Sequence, residues 1–128
     1  MKQDIETRAD IDELLTEFYK IVMFDKELEH HFVELDLRTH LPVIADFWEK
    51  ALFGNPIYFG NPLAVHQILH SKSPLKSEHF VRWVEIFNDT VDRLFAGEIA
   101  NTAKERAEMV GHSLSQRLNG GVQIQGSL

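Results

Sequence analysis

Residues 53–70 read FGNPIYFGNPLAVHQILH, and this stretch constrains the fold more than any other part of the chain. The helix-breaking run FGNP occurs twice, at 53–56 and again at 59–62. In the second run, the asparagine is a favoured N-cap and the proline a favoured first helical residue. We therefore predict a short helix over about 62–69, isolated between two loops, the second of which spans 70–76.

On both sides of this stretch, apolar residues recur with the three- and four-residue spacing of amphipathic helices. No segment shows the alternation of a half-buried strand, so the chain is predicted to be all-α, with four substantial helices and two short ones. One short helix is expected over 26–32. The stripes of the longer ones are Ile11, Leu14, Leu15, Phe18 and Val22; Leu37, Leu41, Ile44, Phe47, Trp48, Ala51 and Leu52; Phe80, Trp83, Val84, Phe87, Val91 and Leu94; and Ile99, Ala103, Ala107, Val110 and Leu114.

Local signals predict where these helices begin and end. Asp10 followed by Glu13 resembles a capping box at the start of the first helix, and Pro42 is expected to mark the start of the next. Ser77 is expected to cap the long helix that Gly97 ends.

Length, charge and cysteine content exclude several classes of protein. The 128 residues fit one domain over 1–128, with about 120–128 expected to form a flexible tail. A net charge of −7 argues against nucleic-acid binding. No apolar run could span a membrane and residues 1–10 are too polar for a signal peptide, so we expect a cytoplasmic protein with no membrane partner. Because the chain has no cysteine, its seven histidines are the side chains most expected to bind a metal.

The chain contains none of the common catalytic templates: no phosphate-binding glycine loop, no G-x-S-x-G elbow and no H-E-x-x-H pair. Two pairs with four-residue spacing, His66 with His70 and His30 with Glu34, could each chelate a metal from one helix face, as in a hemerythrin-type di-iron bundle. That bundle also needs a later His-x4-Asp, which neither His79 nor His112 provides, since Val84 and Arg117 stand five residues after them.

Several motifs follow one another along the chain in a specific order. They are Phe18-Tyr19, His40 eight residues before Trp48, Gly60-Asn61-Pro62 leading to His66, His79-Phe80-Val81-Arg82-Trp83 continuing to Phe87 and Thr90, and Arg106-Ala107. Together they resemble the truncated haemoglobins, the shortened two-over-two globins, and within these the third group, found in bacteria. The resemblance spans about residues 11–118, and the 26 residues between His40 and His66 (66 − 40) match that family's distal-to-proximal spacing.

The resemblance implies a globin-like, truncated two-over-two α-helical sandwich around a haem (protoporphyrin IX iron). By analogy His66 is the proximal iron ligand, with His70 as its main rival. Tyr19, which follows Phe18, and Trp83 match distal residues whose O–H and N–H groups hydrogen-bond a ligand on the iron. Both could instead be ordinary core residues. The wall of the haem pocket is expected to include Phe32, Ile44, Phe47, Trp48, Leu52, Phe59, Val65, Leu69, Phe80 and Phe87.

His40 matches the distal gate position, although Pro42 leaves it on an expected helix edge where it could equally be a surface histidine. The remaining histidines are expected to be structural or exposed; they are His30, His31, His79 and His112.

The resemblance implies binding of a diatomic gas: oxygen, nitric oxide or carbon monoxide. Two distal donors would retain oxygen strongly, which favours nitric oxide or peroxide chemistry, of dioxygenase or peroxidase type, supported by an unidentified reductase. Whether the protein is an enzyme stays open at this point. The alternatives are a cofactor-free helical interaction domain and, less favoured, a non-haem di-iron protein.

Overall fold

Five α-helices form the framework of the residues that this computed structural model describes, 2–33 and 35–120. A 3₁₀ turn follows the first helix at Glu29–His31, shorter than the helix expected there, and a π-helical turn follows the last at Gln116–Gly120. There is no strand in these residues, which confirms the all-α prediction. The helices are α1 (Arg8–Val22), α2 (Leu37–Phe53), α3 (Pro62–Lys72), α4 (Ser77–Leu94) and α5 (Glu98–Ser115). The tail expected at about 120–128 lies, after residue 120, outside the described residues.

The start of α1 differs from the expected capping box of Asp10 and Glu13. Thr7 is the N-cap: its hydroxyl accepts the Asp10 N–H at 3.3 Å, and the Asp10 carboxylate accepts the Thr7 N–H at 3.1 Å. The prediction was therefore wrong by one turn, because Asp10 is the returning side chain of the box rather than its cap.

The prediction that α2 starts at Pro42 was also wrong, because this helix begins at Leu37 and contains the proline. Asp36 is its N-cap, and the carboxylate accepts the Arg38 N–H at 3.2 Å and the Thr39 hydroxyl at 2.9 Å. The cap stabilises the first turn sufficiently for the helix to tolerate a residue that lacks a backbone donor. His40 consequently lies within regular helix, and its side chain is exposed.

The isolated short helix is α3, and its start is as predicted. The Asn61 side chain accepts the Ala64 N–H at 3.1 Å, and Pro62 is the first helical residue. The helix continues to Lys72, so the expectation that His70 lies in a loop was wrong. Its last turn is closed by the Ser73 N–H, which donates to the Leu69 carbonyl at 2.9 Å.

The next helix, α4, starts with Ser77 as its first residue, so the expected capping role of Ser77 was wrong. The N-cap is Lys76, whose backbone N–H donates to the Nδ1 of His79 at 3.1 Å. The His79 ring thus accepts the backbone N–H of the N-cap residue itself, which is the returning bond of a capping box.

The core lies between two layers of helices. In one layer α1 packs against α2, in the other α4 packs against α5, and α1 also contacts α4. At the α4–α5 crossing the helices approach so closely that a Cβ on Gly111 would come 2.8 Å from a methyl carbon of Val84. None of the helices in the described part of the chain is long and apolar enough to cross a membrane.

The N-terminal segment is tied to the start of α5 by Asp4. Its carboxylate accepts the backbone N–H groups of Ile99 at 2.9 Å and Ala100 at 2.8 Å, two of the donors that the helix start leaves unpaired. Burial alone would raise the pKa of Asp4, but these bonds and one from the Ile5 N–H hold that pKa below its ordinary value.

Replacing Asp4 with alanine is expected to lower the free energy of unfolding by about 1–2 kcal/mol, the usual cost of losing a helix cap. Urea denaturation measures this loss. Because the fold lowers the pKa of Asp4, its contribution is complete above the unfolded value of about 3.9 and disappears as the pH falls through the folded value.

The matched control is Asp89→Ala, since Asp89 is an exposed residue on α4. Its unfolding free energy should change by less than about 0.5 kcal/mol. Equal losses in the two variants would contradict the capping role of Asp4.

Candidate functional site

Six aromatic side chains from α1, α2, α4 and the turn after α1 lie together. The Phe87 ring stacks on Trp48, with centroids 4.8 Å apart and planes at 16°, and on Trp83, at 5.7 Å and 18°. Phe18 meets Tyr19, Trp83 and Phe87 edge to face, and Tyr19 meets Phe32 in the same way at 6.0 Å. The structure therefore brings together six of the predicted site residues: Phe18, Tyr19, Phe32, Trp48, Trp83 and Phe87.

Tyr19 and Trp83 supply polar groups within this aromatic cluster. The Tyr19 side chain is buried, and its hydroxyl forms no hydrogen bond with residues 2–33 or 35–120; the same holds for the indole N–H of the half-buried Trp83. Burial raises the pKa of the Tyr19 hydroxyl above its ordinary value, so it keeps its proton at neutral pH. Both groups are therefore available as donors to a ligand.

His66 and His70 differ in which ring nitrogen is free. The Nδ1 of His66 lies 2.6 Å from the Pro62 carbonyl oxygen, and a carbonyl can only accept, so in the neutral ring Nδ1 carries the proton and Nε2 has the lone pair. The Nδ1 of His70 accepts the Leu75 N–H at 2.9 Å, so in the neutral ring the proton is on Nε2. Of the two, only His66 presents a free Nε2 to a metal.

The contact between His66 and the Pro62 carbonyl is a feature of the site that the sequence pattern did not predict. Metal-binding histidines commonly donate their second nitrogen to a carbonyl, which fixes the tautomer and the orientation of the ring. The four-residue separation of Pro62 and His66 on one helix was the available signal, since side chains and carbonyls four apart are neighbours.

The helix α3 is poorly packed for an element at the centre of the chain. None of its 11 residues is buried, and Val65 and Ile68 expose 57% and 62% of their surface. Leu63 and Leu69 pack against a small second core made by Leu75, Phe80 and Leu114. An apolar group beside α3 would cover surface that the protein itself leaves open, which fits the enclosure of a flat macrocycle.

The other predicted wall residues lie in different surroundings. Ile44, Phe47 and Leu52 are half-buried against the main core, whereas Phe80 is buried in the second core. Phe59 exposes 91% of its surface, so the structure does not bring it or Val65 into the aromatic cluster. Their place in the pocket wall stays a prediction.

Comparisons with known proteins agree with this architecture. The bacterial-like globin family matches residues 3–116. A curated relative, the group 3 truncated hemoglobin ctb of Campylobacter jejuni, is 27% identical over 124 residues, covering 92% of this chain and 95% of the relative. The crystal structure of the group III truncated hemoglobin from Campylobacter jejuni superposes with a TM-score of 0.81 at 28% identity, again covering 92% of this chain and 95% of the other.

The match to one family covers nearly the whole chain, and the fold agrees with a solved truncated globin, so the predicted globin-like two-over-two fold is confirmed. This chain belongs to the bacterial-like globin family, and as a globin it binds haem.

Proposed function

We propose that this protein holds its haem through the Nε2 of His66 and binds a diatomic gas beside Tyr19 and Trp83. His66 would hold the haem, which when bound would supply an iron atom able to bind a small ligand such as oxygen. The observation that carries the proposal is the 2.6 Å contact between the His66 Nδ1 and the Pro62 carbonyl, which leaves Nε2 free.

On the proximal side, the start of α3 positions His66. The Asn61 cap and Pro62 fix the first turn of the helix, and with it the carbonyl that accepts the hydrogen bond from the His66 Nδ1–H. Donation from Nδ1 raises the basicity of Nε2 and restricts rotation of the ring. Because α3 contributes no buried residue, the bound group itself would complete the packing of this helix.

On the distal side, Phe18 supports both donors. It is 1% exposed and contacts the rings of Tyr19 and Trp83, with centroids 5.1 and 5.9 Å away, so both side chains are held with little freedom. A hydrogen bond to a charged acceptor contributes about 1.5–3 kcal/mol, and about 1.4 kcal/mol corresponds to a tenfold change in an equilibrium or rate. Two such donors would slow the dissociation of a partly negative ligand by orders of magnitude.

Such retention suits conversion of the ligand better than its delivery. We therefore favour nitric oxide or peroxide chemistry, with electrons from a separate reductase. The exposed position of His40 on the first turns of α2 is compatible with a gate between solvent and the distal side.

Family membership favours haem over the two alternatives, a cofactor-free interaction domain and a di-iron protein. The di-iron alternative also requires Glu34 as a ligand, and this residue lies outside the described residues.

Replacing His66 with alanine is expected to weaken haem binding by about tenfold or more and to change the absorption spectrum, because the axial imidazole is lost. Added imidazole should restore the wild-type spectrum by occupying the vacated position. Hemin titration followed by absorption spectra of the ferric, ferrous and carbonyl forms measures both effects.

The matched control is His70→Ala, which removes a histidine one turn away on the same helix. It should keep the haem affinity and the spectrum. A loss of the axial ligand in His70→Ala, with none in His66→Ala, would reverse the assignment.

The Tyr19→Phe and Trp83→Phe variants are each expected to raise the oxygen dissociation rate by about tenfold, and the double variant by more, because each loses a donor to the ligand. Stopped-flow displacement of oxygen by carbon monoxide gives the rates. Tyr58→Phe is the control, since the Tyr58 ring contacts Phe47 and is not one of the six side chains of the aromatic cluster. An unchanged rate in the double variant would refute the two-donor proposal.

A further inference from the structure

Three histidines lie together away from the candidate haem ligand. His30 and His31 belong to the 3₁₀ turn after α1, and His79 lies in the first turn of α4. Their ring centroids are 3.9 Å (His30–His31), 4.9 Å (His31–His79) and 5.5 Å (His30–His79) apart. Each can offer one ring nitrogen such that the three nitrogens lie within 4.8 Å of one another.

We propose that His30, His31 and His79 form a binding site for a late first-row divalent metal ion such as Zn²⁺. The site does not include His66, and neither the family assignment nor the proposed function requires it. Three imidazoles with a fourth position open to water is a recurrent zinc arrangement, and copper and nickel accept the same donors.

The spacing of two of the nitrogens already fits a metal. The His31 Nε2 lies 3.3 Å from the His79 Nδ1. Two imidazole nitrogens bound tetrahedrally at roughly 2.0–2.1 Å from zinc are about 3.3–3.4 Å apart. The pair would therefore need little movement to take a metal ion between them.

A purely structural role leaves His31 poorly explained. The His79 Nδ1 accepts the Lys76 backbone N–H, so it is unprotonated, and the His31 Nε2 must be the donor in the contact between the two rings. The other nitrogen of His31, Nδ1, then has no hydrogen-bond partner among the described residues, although only 8% of this residue's surface is exposed. Because no hydrogen bond holds the Nδ1, nothing among the described residues except the contact with His79 fixes which of the two ring nitrogens of His31 carries the proton.

Metal binding needs a proton shift within His31 and the release of the two hydrogen bonds that the His79 Nδ1 accepts. If the proton moves from Nε2 to Nδ1, Nε2 becomes free to bind the metal and no proton has to leave the site. The His79 Nδ1 would then bind the metal instead of accepting hydrogen bonds from His31 and Lys76. A water molecule could accept the N–H of the exposed Lys76 in its place.

The charges around the cluster are compatible with a cation. Burial, together with the neighbouring histidines His30 and His79, lowers the pKa of His31 to about 4, so its ring is neutral at physiological pH. Burial and His30 also lower the pKa of His79, while the carboxylates of Glu78 and Glu27 oppose that shift and attract a positive ion. Lys76 has the opposite effect. His30 is exposed and provides the path of entry from solvent.

The test is isothermal titration of Zn²⁺ into the haem-loaded protein, with the bound metal counted after dialysis. One Zn²⁺ per chain is expected. His79→Gln and His30→Ala should each weaken binding by about tenfold or more, since a metal ligand is lost in each. The exposed position of His30 keeps that variant folded. In His79→Gln the introduced amide oxygen can still accept the Lys76 N–H.

The matched control is His112→Ala, because His112 is an exposed histidine on α5. It should bind Zn²⁺ as the wild type does. Zinc should also raise the melting temperature of the wild type and of this control, but not that of His79→Gln. Absence of binding in the wild type, or equal binding in all these variants, would overturn the proposal.

Discussion

The packing of Phe87 is the constraint on which the rest of the structure depends. This side chain has no exposed surface, and it joins three helices through Phe18 of α1, Trp48 of α2 and Trp83 of α4 itself. Aromatic pairs at these separations contribute beyond the burial of their area, and they hold the rings in defined orientations. The same contacts that stabilise the fold therefore also position Tyr19 and Trp83. Under the proposed function, stability and ligand binding would not be separable, because a change that loosens Phe18 or Phe87 would also displace Tyr19 and Trp83.

The helix that carries His66 is, by contrast, largely unpacked. This helix, α3, has well-defined ends but little packing, and its apolar residues Val65 and Ile68 remain largely exposed. A ligand that binds only the folded state stabilises it by mass action. Under the proposed function, the aromatic cluster would form a well-packed distal half, whereas the packing of α3 would be completed by the haem.

The sequence predicted the helices well because their apolar stripes are long and regular, and it predicted the Asn61-Pro62 start of α3 because cap and proline act locally. It misplaced helix starts where two side chains could play the same part, as with Thr7 and Asp10, or where a cap outweighed a proline, as at Pro42. Spacing alone left both His66 and His70 as candidates for the iron ligand. They differ in the partner of Nδ1, a carbonyl for His66 and a backbone N–H for His70, which the sequence does not reveal. The cluster of His31 and His79 joins residues 48 positions apart, and no local pattern reveals such a contact.

The bond between Asp4 and the start of α5 has a consequence for the order of folding. Its partners, Asp4 and Ile99, are 95 positions apart, and closing so long a loop costs chain entropy that only later contacts offset. During synthesis the segment around Asp4 is made before all five helices, yet it cannot be held until α5 has left the ribosome. The bond between Asp4 and α5 therefore cannot form before nearly the whole of the described chain has been synthesised.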